Sequence, residues 1–229
     1  MTLQWQDIDT VLLDMDGTLL DLHFDNYFWL QHLPKRYAQI YQVDVLSIEN
    51  RLHQMYAQMQ GKLQWYCFDW WAQQLQVDII ELKKEITHLI EIRPSATEFL
   101  QNLQQSHCRV VLLTNSHRAG MQLKFDKTGI DQYFDEIVSS HDYGFCKEQQ
   151  EFWQAAETHL KFDKRRCLFI DDSLPVLTAA KKFGIAFNIA VKNPDSKKPA
   201  NTFSDFDSVS DFGQLTRKLS GITSKPNTF

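Results

Sequence analysis

The sequence predicts an α/β fold: an open parallel sheet flanked by helices, with an all-helical unit inserted after strand one. Three observations predict it. Runs at 11–13, 109–113, 136–140, 167–170 and 185–191 are short and mostly apolar, as buried parallel strands are. Helix-period stretches lie before and between the last four, and strands alternating with helices imply a parallel sheet with right-handed crossovers. The segment 22–92 holds no strand-like run and is rich in Gln, Leu and aromatic residues.

Each element follows in order. Strand one begins at Val11 and is predicted to run to about Met15. A helix over 95–105 follows Pro94, with Ser95 or Thr97 as its N-cap. The helix over 118–127 stops at Thr128-Gly129, because glycine readily takes the left-handed conformation that ends helices. Helices over 148–160 and 173–183 come next, the second ending at Gly184. Residues 192–204, KNPDSKKPANTFS, read as a loop, and 220–229 as a frayed end. The predicted division is an α/β core of 1–21 and 93–229 and a helical domain of 22–92.

Composition bounds the function. The chain has 229 residues, enough for one or two domains with a substantial core. Its 24 basic and 29 acidic residues leave a net charge of −5, which offers no electrostatic footprint for nucleic acid. The opening MTLQWQDIDT lacks the pattern of a signal peptide, and no apolar stretch approaches the roughly 20 residues needed to span a bilayer. A cytoplasmic protein with no membrane partner is expected, with a monomer favoured. Cys67, Cys108, Cys146 and Cys167 form no C-x-x-C pair and read as free thiols, mostly buried.

Ligands of an open parallel sheet bind beyond the carboxyl ends of its strands. Strand one is followed by Asp14-Met15-Asp16-Gly17-Thr18, strand two by Thr114-Asn115-Ser116 and strand four by Asp171-Asp172-Ser173. The loop after strand three holds Lys147. Alone, each has an ordinary reading: a strand-end carboxylate, a helix cap, a surface lysine. Together they put four carboxylates into one crevice, and such a group requires a cation. Oxygen-only ligands suit Mg²⁺. A carboxylate can also act as a nucleophile, and a second one two residues on can donate a proton to a leaving oxygen. Thr114 and backbone N–H groups can hold phosphate oxygens, and Lys147 is a point charge for the same group.

These motifs resemble the haloacid dehalogenase-like (HAD) hydrolase superfamily over nearly the whole chain. DMDGTLLD at 14–21 resembles the first signature, LLTNS at 112–116 the second and FIDDS at 169–173 the fourth. Lys147 resembles the lysine of the third, although its context CKEQQEF departs from the commoner K-P-x-P. The resemblance implies a Rossmann-like core with an inserted helical cap at 22–92. It implies Asp14 as nucleophile and Mg²⁺ ligand, and Asp16 as general acid/base that also gives a backbone carbonyl to the metal. It implies Thr114 and Lys147 as phosphoryl-holding residues, Asp171 as a metal ligand and Asp172 as one acting through water. An aspartate at position 16 favours phosphoryl transfer over dehalogenation, which needs no acid. WQDIDTVLLDMDGTLLDLHFDNYFW, LQWYCFDWW and NPDS (193–196) further resemble the family's bacterial purine 5′-nucleotidases, which implies GMP and IMP as substrates.

The inserted unit contains WYCFDWW, in which Trp65, Phe68 and Trp71 are spaced to share one side of a helix. They read as packing or as a stacking wall for a purine, with Trp65 as the candidate contact. Asn26, just after the first motif, reads as a hinge residue or as a substrate contact, and Asn115 as a further substrate-binding candidate. Three other readings share this core: a phosphatase for another small metabolite such as a sugar phosphate or phosphoglycolate, a sugar phosphomutase, and a non-catalytic binder of a phosphorylated ligand.

Overall fold

The computed structural model describes residues 4–219. Strand β1 (Thr10–Leu13) lies near the middle of a six-stranded sheet. Its neighbours are β2 (Arg109–Thr114) and β4 (Cys167–Asp171). Beyond β2 lies β3 (Glu136–Ser139); beyond β4 lie β5 (Phe187–Val191) and β6 (Asp207–Val209), giving the order 3-2-1-4-5-6 with every pairing parallel. The chain runs outward from β1 to β3, then returns to β4 on the other side of β1. That reversal opens a crevice at the carboxyl ends of β1, β2 and β4.

Between β1 and β2 the chain is helical, as expected. It forms α1 (His23–Tyr27), one π-helical stretch (Phe28–His32), α2 (Leu33–Tyr41), α3 (Val45–Met59), α4 (Leu63–Tyr66), α5 (Phe68–Leu75) and α6 (Ile79–Lys84). Pro34, which has no N–H to donate to the preceding turn, follows the π stretch. Asp44 caps α3 by accepting from the Ser47 N–H at 2.8 Å, and Asp78 caps α6 by accepting from that of Glu81 at 3.0 Å. These helices share a hydrophobic cluster that includes Phe28, Leu52, Trp71, Leu75 and Leu82.

The remaining helices cover the sheet: α7 (Ala96–Gln105), α8 (Arg118–Thr128), α9 (Gln150–Leu160), α10 (Leu174–Phe183) and α11 (Gly213–Leu219). Alternate strand residues face opposite sides. Val11, Leu13, Val110, Leu112 and Ile170 pack with Phe99 and Leu103 of α7, Met121 of α8 and Leu215 of α11. Leu12, Val111, Leu113 and Phe169 pack with Phe152 and Trp153 of α9 and Leu177 of α10. Both faces are covered, which is why the strands read as continuous apolar runs.

Several details differ from expectation. β1 ends at Leu13, because the chain turns sharply at Gly17, where φ is +86°. Leu19 and Leu20 both donate to the Met15 carbonyl, so Met15 belongs to this turn. β6 carries too short and polar a sequence, DSV, to register as an apolar run. Ser95 stands at the N-cap of α7, but its hydroxyl donates to Asp211 at 3.1 Å instead of capping the helix, and Thr97 lies inside the helix. The 220–229 segment lies outside the described residues. No helix among the described residues is long and apolar enough to cross a membrane.

Candidate active site

Asp14 follows β1 directly, and its N–H still pairs with the Ile170 carbonyl at 3.0 Å, so the side chain starts from a fixed backbone. Asp171 closes β4, and its Oδ1 accepts the Ser173 N–H at 2.8 Å, which locks the turn into α10. Thr114 closes β2 and accepts the Ser116 N–H at 3.0 Å. The loop holding Lys147 is tied down at three points. Its N–H donates to Asn115 Oδ1 at 2.9 Å, its carbonyl accepts from the Trp153 indole at 2.8 Å, and Glu148 accepts from Asn115 at 3.0 Å and from Tyr66 at 2.7 Å.

The fixed loop delivers Lys147 Nζ to Asp14 Oδ1 at 2.6 Å, to Asp171 Oδ2 at 2.7 Å and to the Leu113 carbonyl at 3.0 Å. Burial opposes the lysine's charge, but the two carboxylates outweigh it and hold its pKa above the usual range. One ammonium does not balance three acids. Burial, with Asp171 adding to it, pushes Asp14 up to about 6, and burial also raises Asp171. Burial beside Asp171 and Asp14 pushes Asp172 well above the carboxylate range.

A second ion network, built on two buried lysines, sits beside the first. Lys124 of α8 donates to Asp16 Oδ1 at 2.6 Å and to Asp25 Oδ2 at 2.7 Å, and Lys83 of α6 donates to Asp25 Oδ1 at 2.7 Å. Burial pushes Asp16 up to about 6 against the pull of Lys124. Burial also acts on Asp25, but two lysines outweigh it and hold that carboxyl well below its usual range.

An accessible cavity of about 260 Å³ opens over these groups. Asp14, Asp16, Thr114, Asn115, Lys147, Asp171 and Asp172 line its floor, and Asn26, Trp29, Trp65, Tyr66 and Phe68 form a wall from the helical insertion.

The haloacid dehalogenase-like hydrolase family model matches residues 8–184. The chain belongs to that family. It is therefore an enzyme of the hydrolase class. It is 38% identical over 219 residues to the GMP/IMP nucleotidase YrfG of Escherichia coli (strain K12), a match covering 96% of this chain and 99% of that one. It is 27% identical over 177 residues to the pyrimidine 5′-nucleotidase YjjG of the same organism, covering 72% of this chain and 77% of the relative. Among solved structures, the HAD phosphatase from Thermococcus onnurineus shares the fold with a TM-score of 0.77 at 18% identity, covering 94% of this chain and 99% of that one.

In this hydrolase the donor set suits a hard cation. Asp14, Asp171 and Asp172 bring carboxylate oxygens within 4.8 Å of one another in a buried, net-negative place. Oxygen-only donors fit Mg²⁺. Gly17 leaves room for this group, since a Cβ there would stand 2.7 Å from the Asp172 carboxyl. Cys67, Asp69 and His117 also lie within 4.8 Å of one another. However, His117 Nδ1 accepts the Ala119 N–H at 3.3 Å, which leaves the ring proton on Nε2, 3.5 Å from Asp69. That trio is a polar pair beside a thiol, not a metal site.

Asp14, Asp16, Asn26, Trp65, Thr114, Asn115, Lys147, Asp171 and Asp172 all line the crevice. Trp65, Phe68 and Trp71 do not share one helix: the helical run is interrupted at Cys67, so Trp65 lies on α4 and Phe68 and Trp71 on α5; Trp71 is fully buried, and Trp65 and Phe68 reach the cavity. Asn26 lines the cavity, but its amide donates to Asp195 Oδ2 at 2.7 Å. Sequence reasoning missed Lys124 and Lys83, which sit inside ordinary helical segments with no motif around them. It also missed His117, stacked on Phe68 at 5.2 Å on the cavity wall.

Proposed function

We propose that the chain is a Mg²⁺-dependent phosphomonoester hydrolase that works through an aspartyl-phosphate, and that its substrates are the purine nucleoside monophosphates GMP and IMP. The observation that carries the chemistry is the meeting of Asp14 and Asp16 with Lys147, Asp171 and Asp172 at the ends of three strands. The substrate reading is supported by near-full-length similarity to a relative named a GMP/IMP nucleotidase and by the aromatic wall of Trp29, Trp65 and Phe68.

Asp14, Asp171 and Asp172 would hold the metal ion with the Asp16 carbonyl, Asp172 through water, and the ion would offset charge on the phosphoryl oxygens. Asp14 attacks phosphorus in line, forming one P–O bond as the bond to the ribose 5′ oxygen breaks. Asp16 gives its proton to that oxygen. A carboxyl whose pKa lies at about 6 holds a proton in a useful fraction of molecules near neutrality. Lys147 and Thr114 hold the transferred group, and Asn115 orients the Lys147 loop through its backbone. Asp16 then takes a proton from water as the water oxygen attacks phosphorus. Phosphate leaves, and both carboxyls return to their starting states.

The helical insertion, 22–92, acts as a cap that closes over the crevice and excludes water. Trp65 stacks on the base, and Asn26 sits at the hinge beside the substrate. A panel of phosphomonoesters tests the substrate reading: turnover highest on a sugar phosphate or phosphoglycolate would keep the core chemistry and discard the nucleotide.

A further inference from the structure

We propose that Lys124 is a positioning residue for Asp16, and that Asp25 and Lys83 of the helical insertion hold Lys124 in place, so the acid is set only when the insertion is docked on the core. The proposal rests on the reading of Asp16 as the general acid.

Four side chains form one ladder, two buried lysines alternating with two half-buried carboxylates: Lys83, Asp25, Lys124, Asp16. With Asp16 ionised their charges alternate and sum to zero. Lys83 and Lys124 are almost wholly excluded from solvent, at 0% and 2% exposure. Burying two ammonium groups against these carboxylates carries a desolvation penalty that apolar residues at an ordinary seam would avoid. The ladder also crosses the seam. Lys83 and Asp25 belong to the insertion, whereas Lys124 and Asp16 belong to the sheet core. The Lys124–Asp25 bond at 2.7 Å is the rung that joins the two.

The far end is anchored. Lys83 Nζ lies 4.3 Å from the Phe28 ring centroid, 4.7 Å from that of Phe24 and 5.2 Å from that of Phe68, which holds the cation by ring attraction. At the near end, Lys124 holds one oxygen of Asp16, and no side chain among the described residues bonds the other. That arrangement fixes the carboxyl plane while leaving one oxygen for the leaving group. If the insertion moves away, Asp25 leaves with it, and Lys124 loses the partner that sets its direction.

The test separates positioning from general damage by leaving group. A nucleoside 5′-alkoxide needs a proton to leave; the p-nitrophenolate of p-nitrophenyl phosphate does not. The quantity read is kcat/KM, which ends at formation of the aspartyl-phosphate and is blind to the later water step. Asp16→Asn should lower kcat/KM on GMP by roughly 10²–10⁴-fold and affect p-nitrophenyl phosphate far less. Lys124→Met should show the same split at about 10²-fold, the scale of a ~1 Å misplacement. Asp25→Asn keeps shape and packing, should show the split in the same direction, and decides the matter if Lys124→Met does not fold. Equal losses on both substrates, or no loss, in the folded variants while Asp16→Asn keeps its split would overturn the positioning role alone. No split in Asp16→Asn would instead remove the acid reading on which the proposal depends.

Discussion

Lys147 Nζ donates to Asp14 Oδ1 at 2.6 Å, and both groups are buried. A buried carboxylate at the end of a central strand is thereby paired on one oxygen, with the same lysine bridging to Asp171 at 2.7 Å. The pairing holds the proposed nucleophile in one rotamer before substrate arrives, and the lysine's charge lies where phosphoryl oxygens would come.

The first prediction follows from that pair. Asp14→Asn should reduce turnover by about 10⁴-fold or more, the scale seen when a covalent nucleophile is removed. The fold should survive, because Lys147 keeps Asp171 and the Leu113 carbonyl as partners. Phosphate release together with far-ultraviolet circular dichroism checks both halves. Substantial residual turnover would exclude Asp14 as nucleophile.

Gly17 tests the metal reading. Its φ of +86° disfavours any side chain, and a Cβ would meet the Asp172 carboxyl at 2.7 Å. Gly17→Ala should lower stability by roughly 1–3 kcal/mol and raise the Mg²⁺ concentration needed for half-maximal activity. Thermal melts and Mg²⁺ titrations of activity read the two effects separately. An unchanged Mg²⁺ requirement would mean that Asp172 takes no part in holding the ion.

The pH dependence of stability has a defined sign in the metal-free protein. Burial raises Asp14 and Asp16 from 3.8 to about 6, so the folded state binds more protons than the unfolded state between those values. Their contribution is fully present below the unfolded value and is lost as pH rises through about 6. Asp25 acts in the opposite sense: its lowered pKa adds stability above the unfolded value, lost only in stronger acid. The stability of Asp14→Asn relative to wild type should therefore rise with pH across that window, by on the order of 1–3 kcal/mol. Denaturant melts at the two ends of the window measure it. A difference that is flat with pH would contradict the raised value.

Asn26 and Asp195 form the next test. Their side chains bond at 2.7 Å, joining α1 to the loop after β5, where Leu22 also donates to the Pro194 carbonyl. If Asn26 serves the hinge, Asn26→Ala and Asp195→Ala should each change kcat and KM together by several-fold, and the double variant should be no worse than either single one. Additive losses would instead give Asn26 a substrate contact of its own.

Much of this was legible in the sequence because buried parallel strands are apolar on both faces. Runs such as Arg109–Thr114 and Cys167–Asp171 announce themselves, and the polar residues at their ends mark the crevice. Asp14, Thr114 and Asp171 are each the last residue of a strand or the first beyond one, so their convergence needs only the strand order. β6 escaped because Asp207–Val209 is an edge strand with one buried residue. Lys83 and Lys124 escaped for a different reason: a lysine within a helix is ordinarily solvated, and only tertiary packing reveals that both ammonium groups meet carboxylates from distant segments. Which of the aromatics pack and which face the cavity was not legible, because the interruption at Cys67 changes the helical phase between Trp65 and Trp71.

The central claim is tested most directly by phosphate release from GMP, IMP, AMP, CMP, UMP, glucose-1-phosphate and phosphoglycolate near neutral pH, with Mg²⁺ or with EDTA. Turnover that requires Mg²⁺ and is highest on GMP and IMP is the predicted result. Turnover that persists in EDTA, or none on any phosphomonoester with Mg²⁺ present, would contradict it.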